Sequence, residues 1–119
     1  MTDVHHQPSD MSLREASEWA GHQAKRLAAN FGLDMAGDRD LFALAQTAKL
    51  GEEVGELHAE VLGALKYCRA DKAAQFTSDS LAGELADVMV CTLLLAQILE
   101  VDLPAAVTGK IGFLRERQF

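Results

Sequence analysis

The chain has 119 residues, of which 49% are hydrophobic, and it carries a formal net charge of −7 at pH 7. This length corresponds to one domain, and the hydrophobic content excludes a disordered chain. The negative charge disfavours nucleic acid and anionic membranes as partners. The longest apolar stretch, about residues 88–99, is too short to cross a bilayer, and the first residues lack the features of a signal peptide. We therefore expect a cytoplasmic protein.

The beginning of the chain combines a polar segment with a helix-capping motif. Residues 1–10 are mostly polar, so we expect a flexible tail before a helical domain that spans residues 11–119. Ser12 and Glu15 have the spacing of a capping box, which predicts a first helix that ends near Asn30. Ala and Leu are abundant while β-branched residues are scarce, which favours helix over sheet.

The next residues are expected to end the first helix and to connect it to a second. Gly32 suits the left-handed conformation that often closes a helix. The acidic segment 34–40 contains a further glycine and is expected to form a loop. Trp19 and Phe42 are aromatic residues on predicted helices, and we place both in the core rather than in a base-stacking site.

A second helix is predicted for residues 39–67, because apolar residues recur there at steps of three and four. On a helix these residues form one stripe, and Lys49 and several glutamates form a second stripe beside it. We expect the apolar stripe to be buried. It consists of Leu50, Val54, Leu57, Val61 and Leu65.

The second half of the chain is expected to contribute two more helices. Residues 69–79 should form a linker or a short helical turn, and a third helix is predicted for residues 81–99, with its N-cap among residues 78–80. This helix is apolar on nearly every side, which is typical of a helix inside a bundle or at a subunit contact. Asp102 before Pro104 predicts the start of a fourth helix. The predicted fold is therefore all-α, a four-helix bundle that we expect oligomerisation to complete.

Two pairs of acidic residues have a spacing that indicates metal binding. Glu53 and Glu56 are three residues apart, as are Glu84 and Asp87. Each pair shares one helical face, so two packed helices can bring four carboxylates together. A bound cation or protonation relieves their repulsion. Oxygen ligands suit magnesium, manganese or calcium, whereas zinc prefers His or Cys. The alternative is that each pair lies on a solvated face.

The combined pattern resembles a known family. The stretch KLGEEVGEL at residues 49–57 and the stretch ELADV at residues 84–88 resemble the MazG-like family of all-α nucleoside triphosphate pyrophosphohydrolases. That family is marked by a Glu-Glu-x-x-Glu segment and a later Glu-x-x-Asp segment on antiparallel helices. The resemblance covers residues 41–119. The related phosphoribosyl-ATP pyrophosphohydrolases usually have His where this chain has Cys91, which disfavours that branch and leaves dUTP and dCTP hydrolases open.

The resemblance implies a role for individual residues. Glu52 would orient or deprotonate the attacking water. Four carboxylates would hold Mg²⁺, with Mn²⁺ as the alternative: Glu53, Glu56, Glu84 and Asp87. Basic side chains would bind the phosphates of the substrate: Lys49, Lys110, Arg115 and Arg117.

The implied activity is magnesium-dependent hydrolysis of a nucleoside or deoxynucleoside triphosphate to the monophosphate and pyrophosphate, by water attack at the α-phosphorus. The resemblance also implies a homodimer or homotetramer. The alternative is a non-catalytic helical oligomerisation or interaction module that uses its acidic stripe as a docking face. A degenerate relative would be expected to lose at least one of the five acids, and this chain has all of them. The residues do not identify the base or the sugar of the nucleotide.

Overall fold

A computed structural model describes residues 10–73 and 75–117 of the chain. Within these ranges the chain forms four long helices and one single-turn helix, with no strand, which confirms the predicted all-α class. Most of the predicted N-terminal tail lies outside the described residues. The helices are α1 (Leu13–Asn30), α2 (Arg39–Ala64), α3 (Ala70–Ala73), α4 (Ser78–Ile98) and α5 (Leu103–Glu116).

The predicted ends of α1 are confirmed. Ser12 Oγ accepts a hydrogen bond from the backbone N–H of Glu15 at 3.0 Å, and Glu15 Oε1 accepts one from the backbone N–H of Ser12 at 3.0 Å. Gly32 has a φ of 67°, the left-handed conformation expected after the helix. Phe42 is buried as predicted, but the prediction for Trp19 is wrong, because its side chain lies off the buried face of α1 and is 42% exposed.

The core forms where α1 packs against the C-terminal part of α4. The buried face of α1 carries only small side chains, which let the two helices approach closely. A polar contact joins the same two helices, since Gln97 Nε2 donates to the carbonyl oxygen of Ser17 at 2.9 Å. The buried core residues are Ala20, Ala24 and Ala28 of α1, Phe42 and Ala43 of α2, and Leu93, Leu94 and Ile98 of α4.

Helices α2 and α4 pack antiparallel. Gln46 of α2 contacts Cys91 of α4, and further along α2 Glu60 accepts a hydrogen bond from the Ser80 hydroxyl at 2.8 Å. The buried residues of α4 all lie between positions 91 and 98. We call residues 39–50 with residues 91–98 the covered half of this helix pair. Residues 54–65 with residues 78–86 are the open half.

Two predictions for α2 are corrected. The helix ends at Ala64 rather than at residue 67, because Lys66 adopts a positive φ of 62° and Tyr67 donates its N–H back to the Leu62 carbonyl at 2.8 Å. The apolar stripe is buried less than expected. Val61 and Leu65 are exposed, because α1 does not extend over the open half.

The start of α4 also differs from the prediction. Its N-cap is Thr77 rather than one of residues 78–80, and α4 begins at Ser78. Thr77 Oγ1 accepts from the backbone N–H of Ser80 at 3.1 Å, and Ser80 Oγ accepts from the backbone N–H of Thr77 at 2.9 Å. Threonine and serine thus form a reciprocal cap in which Ser80 takes the place usually held by Glu or Gln.

The predicted burial of α4 holds only for the covered half. In the rest of the helix Leu85 and Met89 are about half exposed, at 50% and 52%. With 21 residues, α4 is longer than the predicted apolar stretch, and by length and composition it could span a membrane. The core helix of a soluble protein has the same properties, and Leu94 and Ile98 are core residues.

Helix α5 packs against α1. Asp102 caps it as predicted, since one of its carboxylate oxygens accepts from the backbone N–H of Ala105 at 3.1 Å. The same oxygen is 3.0 Å from Arg14 Nη1 of α1. The hydrogen bond from Ala105 and the contact with Arg14 lower the pKa of the Asp102 carboxyl. Beyond Pro104, no residue of α5 is buried in the described part of the helix.

Candidate metal centre and adjoining cavity

Three of the four predicted metal ligands converge. One carboxylate oxygen from each of Glu53, Glu84 and Asp87 lies within 4.8 Å of the other two. Glu53 comes from α2 and the other two come from α4, at the boundary between the covered and open halves. Glu53 is buried, Glu84 is half-buried and Asp87 is exposed, so the cluster is open on one side.

The carboxylates of the cluster have unused oxygens. Glu53 Oε2 and Glu84 Oε2 are both buried and have no hydrogen-bond partner among the described residues. A buried acceptor without a donor is unfavourable, and a cation or a bound water satisfies it. Two oxygens bound to one Mg²⁺ ion lie at most about 4.2 Å apart. With small side-chain adjustments these three carboxylates could therefore hold a metal ion.

The cluster perturbs the protonation of its own members. Burial raises the pKa of the Glu84 carboxyl, and the negative charges of Glu56, Glu53 and Asp87 raise it further. The pKa of Glu53 is lowered instead, chiefly because Lys49 donates a hydrogen bond to it. Opposite shifts on neighbouring carboxylates are typical of functional sites, although structural ion pairs also produce them.

The other two acids of the motif lie around the cluster. Glu56 is exposed and outside the converging trio, but its charge is close enough to raise the pKa of Glu84. Glu52 is also exposed, and its Oε2 lies 3.9 Å from Lys49 Nζ. The roles of Glu56 as a ligand and of Glu52 as the residue that activates water remain predictions.

The predicted substrate-binding residues lie in two separate places. Lys49 borders the cluster, with its Nζ 3.0 Å from Glu53 Oε1. The other three, Lys110, Arg115 and Arg117, are on or directly after α5. None of these three lines the cavity beside the acids in the described part of the chain. Helix α5 starts beyond Ile98, which is roughly 16 Å along α4 from Asp87.

Two acids of the cluster, Glu53 and Asp87, line a cavity of about 670 Å³ between α1, α2 and α4. Gln46 and Cys91 line it next to the acidic end. The rest of the wall is almost entirely apolar. Lys49 belongs to it, and its apolar members are Leu27, Phe31, Leu33, Leu41, Phe42, Ala45, Val90 and Leu94.

The sequence-based reasoning missed this cavity and the polar residue in its wall. Gln46 is 7% exposed, and its Nε2 donates to the Cys91 carbonyl oxygen at 3.3 Å. A signal was present, because Gln46 lies seven residues before Glu53 and therefore on the same face of α2. Cys91 is buried, and burial raises the pKa of its thiol.

Comparisons of the chain with protein-family models, with curated proteins and with solved structures give no match. The functional argument therefore depends on the carboxylate cluster and the cavity.

Proposed function

We propose that the protein is a magnesium-dependent nucleotide pyrophosphohydrolase of the MazG-like type. The observation that carries this proposal is the convergence of Glu53, Glu84 and Asp87 with two unpartnered buried oxygens. A cation at these carboxylates turns an acidic pocket, which repels phosphates, into one that attracts them. The adjoining cavity is large enough to receive the nucleoside part of the same molecule.

Different residues of the site have different roles in the proposed reaction. Glu53, Glu84 and Asp87, together with Glu56, hold the metal. A bound Mg²⁺ neutralises phosphate charge and acidifies water. Glu52 accepts the proton of the attacking water. The water oxygen bonds to the α-phosphorus, the bond from that phosphorus to the α–β bridging oxygen breaks, and pyrophosphate leaves with that oxygen.

The proposal includes a second copy of the chain. Lys110 and Arg115 are far along an exposed helix in the single chain, yet they are the residues expected to bind phosphates. A partner protomer can supply them while it covers apolar side chains of the open half. Contiguous exposed apolar side chains of this kind often mark a protein interface. They include Leu62, Leu65 and Leu85.

The same exposed side chains favour one alternative function, a non-catalytic helical module that associates through the open half. Such a module needs no metal and releases no pyrophosphate. The two functions are therefore separable by a single assay series.

The experiment is a panel of ribo- and deoxynucleoside triphosphates with Mg²⁺, in which pyrophosphate and phosphate are measured separately. We expect pyrophosphate and a nucleoside monophosphate in equal amounts, and no product when Mg²⁺ is chelated. Release of phosphate alone would contradict attack at the α-phosphorus. No product from any triphosphate would favour the interaction module.

Matched variants assign the activity to this site. Glu52→Gln should lower the turnover number by at least about 100-fold, the usual contribution of a general base. Glu18→Gln removes one charge from an exposed residue of α1 and should leave turnover unchanged. In the wild-type protein, saturating Mg²⁺ should raise the melting temperature, because the ion binds only the folded cluster. A melting temperature that does not respond to Mg²⁺ would count against the metal site.

A further inference from the structure

Lys49 lies one helical turn before Glu53 on α2 and is bonded to it. Its Nζ is 3.0 Å from Glu53 Oε1, a charge-assisted hydrogen bond, and 3.9 Å from Glu52 Oε2, which is beyond hydrogen-bond distance. The two ends of the bond differ in environment, since the side chain of Glu53 is 9% exposed and that of Lys49 is 54% exposed. The pair is therefore not an ordinary surface ion pair, because one of its two charges is buried.

The bond with Lys49 uses only one of the two oxygens of Glu53. The other, Oε2, is buried and accepts no hydrogen bond within the described part of the chain. One carboxylate oxygen of Glu53 lies within 4.8 Å of an oxygen of Glu84 and one of Asp87. An ammonium group only donates hydrogen bonds, so Lys49 cannot itself bind a cation. It can, however, fix the orientation of a carboxylate that does.

This arrangement gives Lys49 a role in metal binding. We propose that Lys49 is a positioning residue for the metal: its bond to Glu53 Oε1 holds the carboxylate so that Oε2 stays available to the ion. The inference rests on the metal site of the proposed function. It differs from the role that the family resemblance implies for Lys49, which is direct binding of substrate phosphates. Carboxylates that bind metals are themselves hydrogen-bonded, and loss of the supporting group typically costs about 10- to 100-fold in metal affinity or activity.

Stabilisation of the helix explains the contact less well. Opposite charges four residues apart stabilise a helix, but the order with the glutamate first is the better one, and here the lysine comes first. A pair that served only the helix would also gain nothing from burying its glutamate, because burial makes an ion pair costly.

The sign of the change in Mn²⁺ affinity separates the positioning role from phosphate binding. Titration of the nucleotide-free protein with Mn²⁺, followed by the electron paramagnetic resonance signal of the free ion, measures metal affinity without catalysis. Lys49→Met removes the donor and keeps a good helix former at an exposed position. We expect its Kd for Mn²⁺ to be at least about tenfold higher than that of the wild-type protein. If Lys49 acted through its charge alone, its removal would strengthen binding, because an ammonium group repels the ion.

Two further variants serve as controls. Lys49→Arg keeps both the charge and a donor and should recover most of the lost affinity. Lys25→Met makes the same exchange at an exposed position of α1 that does not line the cavity beside the acids, and should leave Mn²⁺ binding unchanged. The melting temperature of each variant in a chelator reports on the fold alone. A lower melting temperature of Lys49→Met with unaltered Mn²⁺ affinity would show a merely structural role and overturn the proposal.

The outcomes also separate this inference from the proposed function. If the wild-type protein releases pyrophosphate but Lys49→Met binds Mn²⁺ at least as tightly as the wild-type protein, the positioning role is wrong and the pyrophosphohydrolase assignment stands. A rise in KM for the triphosphate would then indicate phosphate binding by Lys49. If Mn²⁺ binding is weakened as expected but no triphosphate is hydrolysed, the assignment fails and the positioning role stands. Absence of Mn²⁺ binding by the wild-type protein overturns both.

Discussion

The covered and open halves of the α2–α4 pair both carry apolar side chains, but in different environments. In the covered half α1 places small side chains against α4, and residues such as Leu94 become core. In the open half Leu85 and Leu62 are exposed to solvent although they lie on the same two helices. Burial of an apolar side chain on α2 or α4 therefore depends on whether α1 packs over that part of the pair. The acidic cluster stands at the boundary, where Glu53 is buried and Asp87 remains accessible.

The largest expected effect is at the boundary itself. Asp87→Asn removes the accessible carboxylate of the cluster, a proposed metal ligand, and should lower pyrophosphate release by more than about 100-fold, above the usual effect of altering a residue that only supports a ligand. Circular dichroism should show an unchanged helix content, because Asp87 is exposed. Full turnover in this variant would remove Asp87 from the ligand set.

The next largest effect should distinguish the two halves by stability. Leu94→Ala leaves a cavity in the covered half and should lower the free energy of unfolding by about 2–5 kcal/mol. Leu85→Ala removes a side chain that is already half exposed and should cost less than about 1 kcal/mol. Urea unfolding at low protein concentration measures both. Equal losses would show that the open half is packed in solution, as a second copy of the chain would make it.

A smaller effect should appear in the dependence of stability on pH. The pKa of Glu84 is raised in the folded chain above its ordinary value of 4.5. The folded state therefore holds a proton that the unfolded state releases, so stability is full below pH 4.5 and falls as pH rises through the folded-state pKa.

Melting temperatures in the presence of a chelator measure this dependence. At pH values above the folded-state pKa of Glu84, the Glu84→Gln variant should be more stable than the wild-type protein, because Gln carries no charge into the cluster. The lowered pKa of Glu53 acts in the opposite direction at lower pH and is common to both proteins. Superimposable pH curves for the two proteins would exclude repulsion at Glu84.

The smallest effects should come from the two helix caps. Ser12→Ala and Thr77→Ala each remove a cap and should cost about 1 kcal/mol. Their consequences should differ, because Ser12 caps a helix of the core and Thr77 caps the open half. Hydrogen exchange should show faster exchange throughout α1 in the first variant. In the Thr77→Ala variant the faster exchange should be confined to the first turns of α4. Faster exchange over equally long segments in both variants would contradict the division into halves.

Some features of the molecule could be predicted because they are local. The cap formed by Ser12 and Glu15, the left-handed Gly32 and the cap at Asp102 each depend on a few neighbouring residues. The convergence of Glu53 with Glu84 and Asp87 followed from helical spacing and the expectation that the two helices pack together. Trp19 was misplaced because periodicity does not say which face of an amphipathic helix finds a partner.

The sequence by itself determined the all-α class, the approximate helices and the two acidic pairs, since helical period and capping chemistry act over three or four residues. The tertiary structure alone decided that α1 covers one half of the α2–α4 pair and that a cavity opens beside the acids. It also decided that Gln46 stands in the wall of this cavity, with its amide nitrogen bonded to the Cys91 carbonyl oxygen. These properties arise from contacts between residues far apart in the chain. Spacing along α2 places Gln46 on the same face as Glu53, but it does not say what that face packs against.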